Sequence, residues 1–359
     1  MDYKSYFDIP EDIIYLNTPG NGLLPRENHK WRRQRDSDFF DVRGDLRDKQ
    51  PAFIASLKGS IAELFGCKSN NVYALPNFSF GMHMLLTGLP KDLRVLLLED
   101  DYPSLNYPVL THGFEIKRIS MTEDLEDKIL KLAKDGLFDV LMLSVVQYIS
   151  GFKIDLEFIK KLKTDYPNIL IIADATQFLG TEPFDFEKSG FDAIGTSGYK
   201  WLMAGFGNGF FILSDYLKEL LYRDAQLQEA PKEQMWAHKS ILDTIFEPGH
   251  QDTLAHGTLL QSLKFLENLG LENVKNHNED LIAYAHEIFD NEGWLLPLIR
   301  TRKIKSSVIN VQVSPSLYPY LMDKGVKCFP RGTGIRIGLH LYNNREDIDK
   351  FVRILKESK

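Results

Sequence analysis

The chain has few cysteines, no long apolar run and no excess of basic residues. Its 359 residues include only two cysteines, Cys67 and Cys328, which are far apart and lack metal-ligand spacing. This excludes a disulfide framework and favours a reducing compartment, so a cytoplasmic protein is expected. No apolar run approaches the roughly 18 residues that a membrane helix needs, so no membrane role is expected. The formal net charge of −7 argues against a nucleic-acid-binding protein.

Two further patterns are incomplete versions of known binding motifs. His250 and His256 lack the spacing of a zinc site, and no cysteine pair accompanies them, so no metal site is expected. The glycines at 205, 207 and 209 form G-x-G-x-G and precede a run typical of a strand rather than a helix. This arrangement excludes the dinucleotide-binding fingerprint, and the glycines are interpreted as turn residues.

After Gly66, short apolar runs alternate with stretches of helical periodicity. This rhythm predicts an α/β fold in which a mostly parallel sheet of about seven strands lies between helices. The predicted strands are 72–75, 94–99, 114–119, 140–146, 169–173, 193–196 and 209–213. Before them, residues 27–66 are predicted to be mostly helical, with breaks at Gly44 and Pro51.

The chain is predicted to have three parts. An N-terminal arm, 1–25, rich in turn-forming residues, precedes a large domain, 26–248, and a small C-terminal α/β domain, 249–359. The connection 216–249, which includes Pro231, is predicted to be irregular with an interrupted helix, and connections of this length are often functional. Two long helices and then three strands, near 307–313, 326–329 and 334–338, are expected to follow.

Polar residues stand at the ends of two neighbouring predicted strands. Asp174 follows strand 169–173, and Ser197 and Lys200 follow strand 193–196. Because ligands gather at the carboxyl ends of parallel strands, these side chains are expected to meet one. A carboxylate and an amine suit pyridoxal 5′-phosphate, which needs an amine for its aldehyde, a carboxylate for its ring nitrogen and an anion site for its phosphate. Alone, Asp174 could be a helix cap and Lys200 a surface lysine.

The other candidates for this site have simpler alternative interpretations. Asn77, Phe78 and Ser79 open a predicted helix, whose N-terminus could bind the phosphate or could merely be capped. Arg336, in the segment GIRIGLH, could anchor a substrate carboxylate through two parallel hydrogen bonds. From the residues alone, a solvent-facing strand position is the simpler interpretation of that arginine.

Several motifs in order resemble the class V aminotransferase group of fold-type I pyridoxal-phosphate enzymes. The central ones are DATQ at 174–177 and TSGYK at 196–200, followed by the glycine-rich turn. Others are YLNTPGNGLLP, EDDYPSLNYPV, VVQYISG, AHGT and IRIGLHLYNNREDID. The resemblance covers nearly the whole chain and implies an amino-acid substrate and a homodimer with shared active sites.

The resemblance also implies roles for individual residues. Lys200 matches the Schiff-base lysine, Asp174 the partner of the pyridinium nitrogen, and Gln177 the residue that reaches the ring 3-hydroxyl. Tyr102 matches the residue stacked on the ring. The matched phosphate positions are Phe78, Ser79, Ser197 and Tyr199, with Thr258 given by the second subunit. The matched substrate positions are Arg336, Asn17 and Tyr148.

The subfamily is not fixed by these motifs. Tyr199 stands where cysteine desulfurases of the group usually have histidine, and Cys328 is too close to Arg336 to match their mobile-loop cysteine. VQY and GYK resemble kynureninase, whereas YPS and GYKW resemble isopenicillin N epimerase-like proteins. The resulting prediction is an aminotransferase. The alternatives are a lyase of the kynureninase or cysteine/selenocysteine type, an epimerase, and a pyridoxal-phosphate-binding protein without turnover.

Overall fold

The computed structural model describes residues 2–229, 232–233, 236 and 239–358. The strands are β1 (Ile14–Tyr15), β2 (Val72–Leu75), β3 (Arg94–Leu98), β4 (Glu115–Ile119), β5 (Val140–Ser144), β6 (Leu170–Asp174), β7 (Ala193–Ser197), β8 (Gly209–Leu213), β9 (Val308–Val311), β10 (Val326–Lys327), β11 (Phe329–Arg331) and β12 (Gly334–Gly338). Seven of them form the main sheet in the order β2-β8-β7-β6-β5-β3-β4. Strand β8 runs opposite to the other six, so its pairs with β2 and β7 are antiparallel and the remaining pairs of that sheet are parallel. The predicted α/β fold class and mostly parallel sheet are confirmed.

The helices surround this sheet and connect its strands. In the described part of the chain they are α1 (Arg26–Asp38), α2 (Leu46–Phe65), α3 (Phe78–Gly88), α4 (Pro103–Thr111), α5 (Leu125–Lys134), α6 (Leu156–Asp165), α7 (Phe186–Ser189), α8 (Asp215–Leu220), α9 (Arg223–Gln226), α10 (Ile241–Phe246), α11 (Thr253–Leu269), α12 (Leu271–Asn291), α13 (Pro297–Thr301), α14 (Tyr318–Asp323) and α15 (Arg345–Glu357). None of them is long and apolar enough to cross a membrane.

The strands of the main sheet are covered on both faces. In β6, Ile171 and Ala173 belong to one apolar cluster, whereas Leu170 and Ile172 belong to another on the opposite face. Successive side chains of a strand point to opposite faces, so a strand buried on both sides needs a continuous apolar run. This requirement explains why the run before Asp174 predicted its strand within one residue at each end.

Prolines account for two differences from the predicted helices. Pro51 does not break the helical stretch, because α2 runs through it. Helix α4, which was not predicted, begins with Pro103 and also contains Pro108. Proline is favourable in the first turn of a helix, where its missing N–H has no helical partner to lose. The connection after β8 contains α8, α9 and α10, and Pro231 lies outside the described residues.

The N-terminal arm joins the C-terminal part of the chain. Strand β1 pairs in parallel with β10, and Ile14 and Leu16 pack in the apolar cluster of the sheet β11-β12-β9. Helix α11 follows residue 248 but packs on α1 and α2. Contacts thus cross both predicted boundaries, after residue 25 and after residue 248, and the division into domains stays a prediction.

We predict opposite effects of alanine at two glycines. In Gly195→Ala, the new Cβ would lie 2.2 Å from the Phe211 ring in the centre of the sheet. Overpacking of this kind typically lowers the free energy of unfolding by about 1–3 kcal/mol. The control is Gly59→Ala in α2, where a new Cβ meets nothing within 4 Å, and the better helix propensity of alanine adds about 0.5–1 kcal/mol. Urea unfolding measures both, and a Gly195→Ala protein as stable as wild type would contradict the packing.

Candidate active site

The candidate site lies where three neighbouring strands end. Ser144 ends β5 opposite Asp174 at the end of β6, and β7 ends at Ser197. Asp174 is only 5% exposed, and its Oδ1 accepts the Thr176 N–H at 2.8 Å. Burial raises the pKa of this carboxyl from its ordinary value to about 6, against the lowering effect of the Thr176 hydrogen bonds and the Lys200 charge.

Lys200 lies in the turn after β7, close to the N-terminal arm. The Gly22 N–H of the arm donates to the Tyr199 carbonyl at 2.8 Å, and this hydrogen bond holds the turn in place. Lys200 is 6% exposed, and its Nζ is 5.6 Å from the centre of the Tyr102 ring and 5.5 Å from that of Tyr199. Burial lowers the pKa of this amine to about 8, and only the Asp174 carboxylate opposes that shift. At neutral pH an appreciable fraction of the amine is therefore uncharged.

A cleft of about 350 Å³ opens beside Lys200. Its lining brings together seven of the predicted residues, Asn77, Phe78, Ser79, Tyr102, Ser197, Tyr199 and Lys200. On one side the N-terminus of α3 faces the cleft: Asn77 caps it by accepting the Phe80 N–H at 2.9 Å, and the Phe78 N–H donates to Ser197 Oγ at 3.0 Å. A helix N-terminus with a hydroxyl beside it is a ready site for an anion.

Gln177 has a fixed amide orientation. Its Oε1 accepts the indole N–H of Trp201 at 2.7 Å, and its Nε2 donates to the Pro19 carbonyl at 2.9 Å. An amide nitrogen carries two protons, so one N–H remains for another acceptor. Because the buried Trp201 occupies the amide oxygen of Gln177, the group that remains available on Gln177 is a donor.

Arg336 is a buried cation without a carboxylate partner among the described residues. It is 4% exposed, its Nη1 donates to the Tyr148 carbonyl at 2.7 Å, and its Nε has no hydrogen-bond partner there. Burial lowers the pKa of this guanidinium to about 10. The Tyr148 ring packs edge-on against Tyr102 at 5.3 Å, so Arg336 and Tyr148 adjoin the cleft. A buried, incompletely paired guanidinium is expected to bind an anion.

Two predicted residues lie elsewhere. Thr258 is completely buried in its own chain, where its hydroxyl donates to the Leu254 carbonyl and accepts from Arg32 at 2.6 Å. In one chain this hydroxyl is engaged within α11 and with α1, and the assignment of Thr258 to a second subunit's phosphate site stays a prediction. The Asn17 side chain lines a separate groove of about 340 Å³, together with Tyr15 and Cys328. The turn that Asn17 begins nevertheless reaches the site through Pro19 and Gly22.

Sequence reasoning missed Asp101, Thr176 and Arg331. Asp101 is buried and accepts the Tyr102 N–H at 2.7 Å, the Ser144 N–H at 2.8 Å and the Ser144 hydroxyl at 2.6 Å. It therefore ties Tyr102 to the end of β5. Its position just after an apolar run, like that of Asp174, was a signal that could have identified it. Arg331 precedes a tight turn and had no such signal.

The fold and the site together define a pyridoxal-phosphate-dependent enzyme of fold type I. The model of the family "Aminotransferase class-V" matches residues 108–351, and the chain belongs to this family. A probable cysteine desulfurase of Borreliella burgdorferi is 24% identical over 99% of this chain and 92% of its own. The kynureninase of Saccharomyces cerevisiae is 22% identical over 96% and 91%, respectively.

Solved structures give the same fold. The apo cysteine desulfurase of Thermococcus onnurineus superposes with a TM-score of 0.83, at 17% identity, over 99% of this chain and 97% of the other. The cofactor of the family is pyridoxal 5′-phosphate. The residues present fit it, because a buried carboxylate, a buried amine of lowered pKa, a helix N-terminus with a serine hydroxyl and an unpaired guanidinium adjoin one cleft.

We predict that Asp174→Asn stabilises the cofactor-free protein at neutral pH. Because the folded-state pKa of Asp174 is about 6 rather than 3.8, the folded state favours the protonated carboxyl. Wild type therefore loses stability as the pH rises from about 4 through about 6, and the neutral amide does not. The rise of the Asp174 pKa from 3.8 to about 6 lowers the free energy of unfolding of wild type by about 3 kcal/mol between the acidic and the neutral side of that window.

Urea unfolding of both proteins without cofactor, at about pH 4 and about pH 7.5, measures the difference. We expect the advantage of Asp174→Asn at the higher pH alone, and we expect the bound cofactor to reduce it, because its ring N–H would pair with the carboxylate. An equal difference at both pH values would contradict the assigned pKa.

Proposed function

We propose that this protein acts on an α-amino acid, with Lys200 holding the cofactor and moving the proton at the substrate Cα, and that its reaction is transamination. The observation that carries the proposal is the state of Lys200. A primary amine with a pKa of about 8, buried beneath two tyrosine rings, is both a nucleophile and a base near neutral pH.

The other residues of the site would bind and orient the cofactor. Bound pyridoxal phosphate supplies a protonated ring that withdraws electrons from the substrate Cα. The Asp174 carboxylate would accept the ring N–H, and the free amide N–H of Gln177 would donate to the ring oxygen. Tyr102, held by Asp101, would cover one face of the ring. The phosphate would bind at the N-terminus of α3 and at Ser79, Ser197 and Tyr199.

Arg336 would bind the substrate's α-carboxylate. Its guanidinium is already fixed to the Tyr148 carbonyl and has an Nε without a partner, so the side chain is preorganised rather than mobile. A carboxylate that pairs with it offsets the cost of burying the charge. This contact would place the substrate Cα between the cofactor and Lys200.

Sulfur transfer to a protein thiol needs a reactive cysteine, whereas transamination does not. The two cysteines of this chain therefore favour transamination. Cys328 is 2% exposed and lines the groove with Asn17 instead of the cleft, and burial raises its pKa to about 12. Cys67 lies at the end of α2 near Asp185 and Glu187, and burial together with these charges raises its pKa to about 12 as well. Neither thiol has the low pKa that a reactive cysteine needs.

Cleavage at the substrate Cβ is the second candidate. Its support is Tyr199, whose pKa burial raises to about 12, so the phenol keeps its proton and could donate it to a leaving group. Relatives named as cysteine desulfurase and kynureninase also favour this class. A homodimer with shared active sites, to which Thr258 would contribute, stays a proposal drawn from the family, and the cytoplasmic location stays a prediction.

A panel of amino acids tests the proposal and separates its two reactions. Purified protein is loaded with pyridoxal phosphate and incubated with each amino acid, with and without an added 2-oxo acid. Transamination predicts that continuous turnover needs the added oxo acid, which becomes an amino acid. Cβ cleavage needs no 2-oxo acid: hydrolysis of an aromatic acyl side chain releases alanine and an aromatic acid, and desulfuration of cysteine releases alanine together with sulfide when a thiol reductant is added. If no amino acid changes the cofactor's absorption or yields a product, the proposed function is wrong.

A further inference from the structure

The hairpin β11–β12 carries two arginines on one face. In its antiparallel register, Phe329 lies opposite Arg336 and Arg331 lies opposite Gly334. Directly opposed residues, and alternate residues of one strand, project to the same face. Phe329, Arg331 and Arg336 therefore share a face, and the two arginines are diagonal neighbours, for which the usual separation is about 7–8 Å.

This face is fixed beside the cleft. The Asn310 side chain donates to the Arg331 carbonyl at 2.9 Å and to the Ile149 carbonyl at 3.2 Å. The Arg336 guanidinium donates to the Tyr148 carbonyl at 2.7 Å. Both ends of the arginine pair are thus tied to segment 148–149, whose Tyr148 ring packs against Tyr102.

The two charges lack anionic partners among the described residues. No carboxylate lies within ion-pair distance of either guanidinium in that part of the chain, and the Arg331 group stacks on the Phe329 ring at 4.4 Å. The positive charge of Arg331 also lowers the pKa of Lys200 and of Arg336, so its field reaches the cleft. Two adjacent cations with no protein anion between them form a site for a ligand with two negative groups.

On the basis of the proposed function, we propose that the substrate is an amino acid whose side chain carries a second anionic group. Arg336 binds the α-carboxylate, and Arg331 binds the side-chain anion and determines specificity. The shared chemistry is an anion a few bonds beyond Cα, which could be a carboxylate or a phosphonate-like group. Arg331 is exposed, so water screens it, and we expect a preference of about tenfold.

Non-reacting ligands test this inference on the cofactor-loaded protein. Isothermal titration compares glutarate with pentanoate, which has the same carbon chain but one carboxylate, and with 4-phosphonobutanoate. We expect glutarate or the phosphonate to bind about tenfold more tightly than pentanoate, and the stronger of the two identifies the anion. In Arg331→Gln this preference disappears while pentanoate affinity is unchanged, whereas Arg336→Gln weakens all three ligands.

Two controls make the result specific. Lys324→Gln removes one positive charge from the C-terminal part of the chain, where Lys324 packs on Tyr320, and it should leave the preference intact. Arg331→Lys keeps the positive charge but lacks the paired N–H donors of the guanidinium, so it should retain part of the preference. Thermal unfolding and cofactor absorption verify that each variant is folded.

Equal binding of glutarate, phosphonate and pentanoate by wild type would overturn the inference, as would an Arg331→Gln protein that loses affinity for pentanoate too. These failures are distinct from failure of the proposed function. If amino acids react in the panel but no second anion is preferred, the function stands and the role of Arg331 is wrong.

Discussion

The active site depends on the burial of two opposite charges that form no direct ion pair. Asp174 and Lys200 are 5% and 6% exposed, and no ion pair joins them within the described residues. Burial of incompletely paired charges costs several kcal/mol and shifts both pKa values toward the neutral forms. The parallel sheet makes this arrangement possible, because its apolar strands β6 and β7 deliver both residues to one edge. In the proposed function, the bound cofactor would give Asp174 and Lys200 the partners that the chain itself does not supply.

The N-terminal arm connects the turn of Lys200 to the part of the chain that carries Arg336. Gly22 lies so close to the turn that a Cβ there would be 1.9 Å from the Lys200 carbonyl, and Pro19 accepts a hydrogen bond from Gln177. The same arm pairs through β1 with β10, in the unit that carries Arg336. A displacement of that unit would therefore also displace the arm that contacts the turn of Lys200. The φ of +54° at Met203 shows that the turn is also held in a costly backbone conformation.

Much of the fold and of the candidate site could be predicted from the sequence. The features that could not be predicted have physical causes. Buried strands require continuous apolar runs, so the sheet and the ends at Asp174 and Ser197 were predictable. Arg336 was ambiguous, because alternation in β12 says which face a residue occupies and not whether that face is covered. The role of Thr258 stays a prediction, because a motif match carries no information about the hydrogen bonds that its hydroxyl makes. Asp101 follows an apolar run as Asp174 does, but its role in holding Tyr102 to Ser144 becomes visible only in the folded chain.

The most direct test of the central claim is to locate the cofactor on the chain. Holoprotein reduced with borohydride and digested is analysed by mass spectrometry for peptides that carry the cofactor mass. We expect the modification on Lys200 alone, whereas Lys153, which is 7% exposed but paired with Glu182, serves as the internal control for a buried lysine. Modification of Lys153 or another lysine in place of Lys200, or no modification at all, would contradict the account.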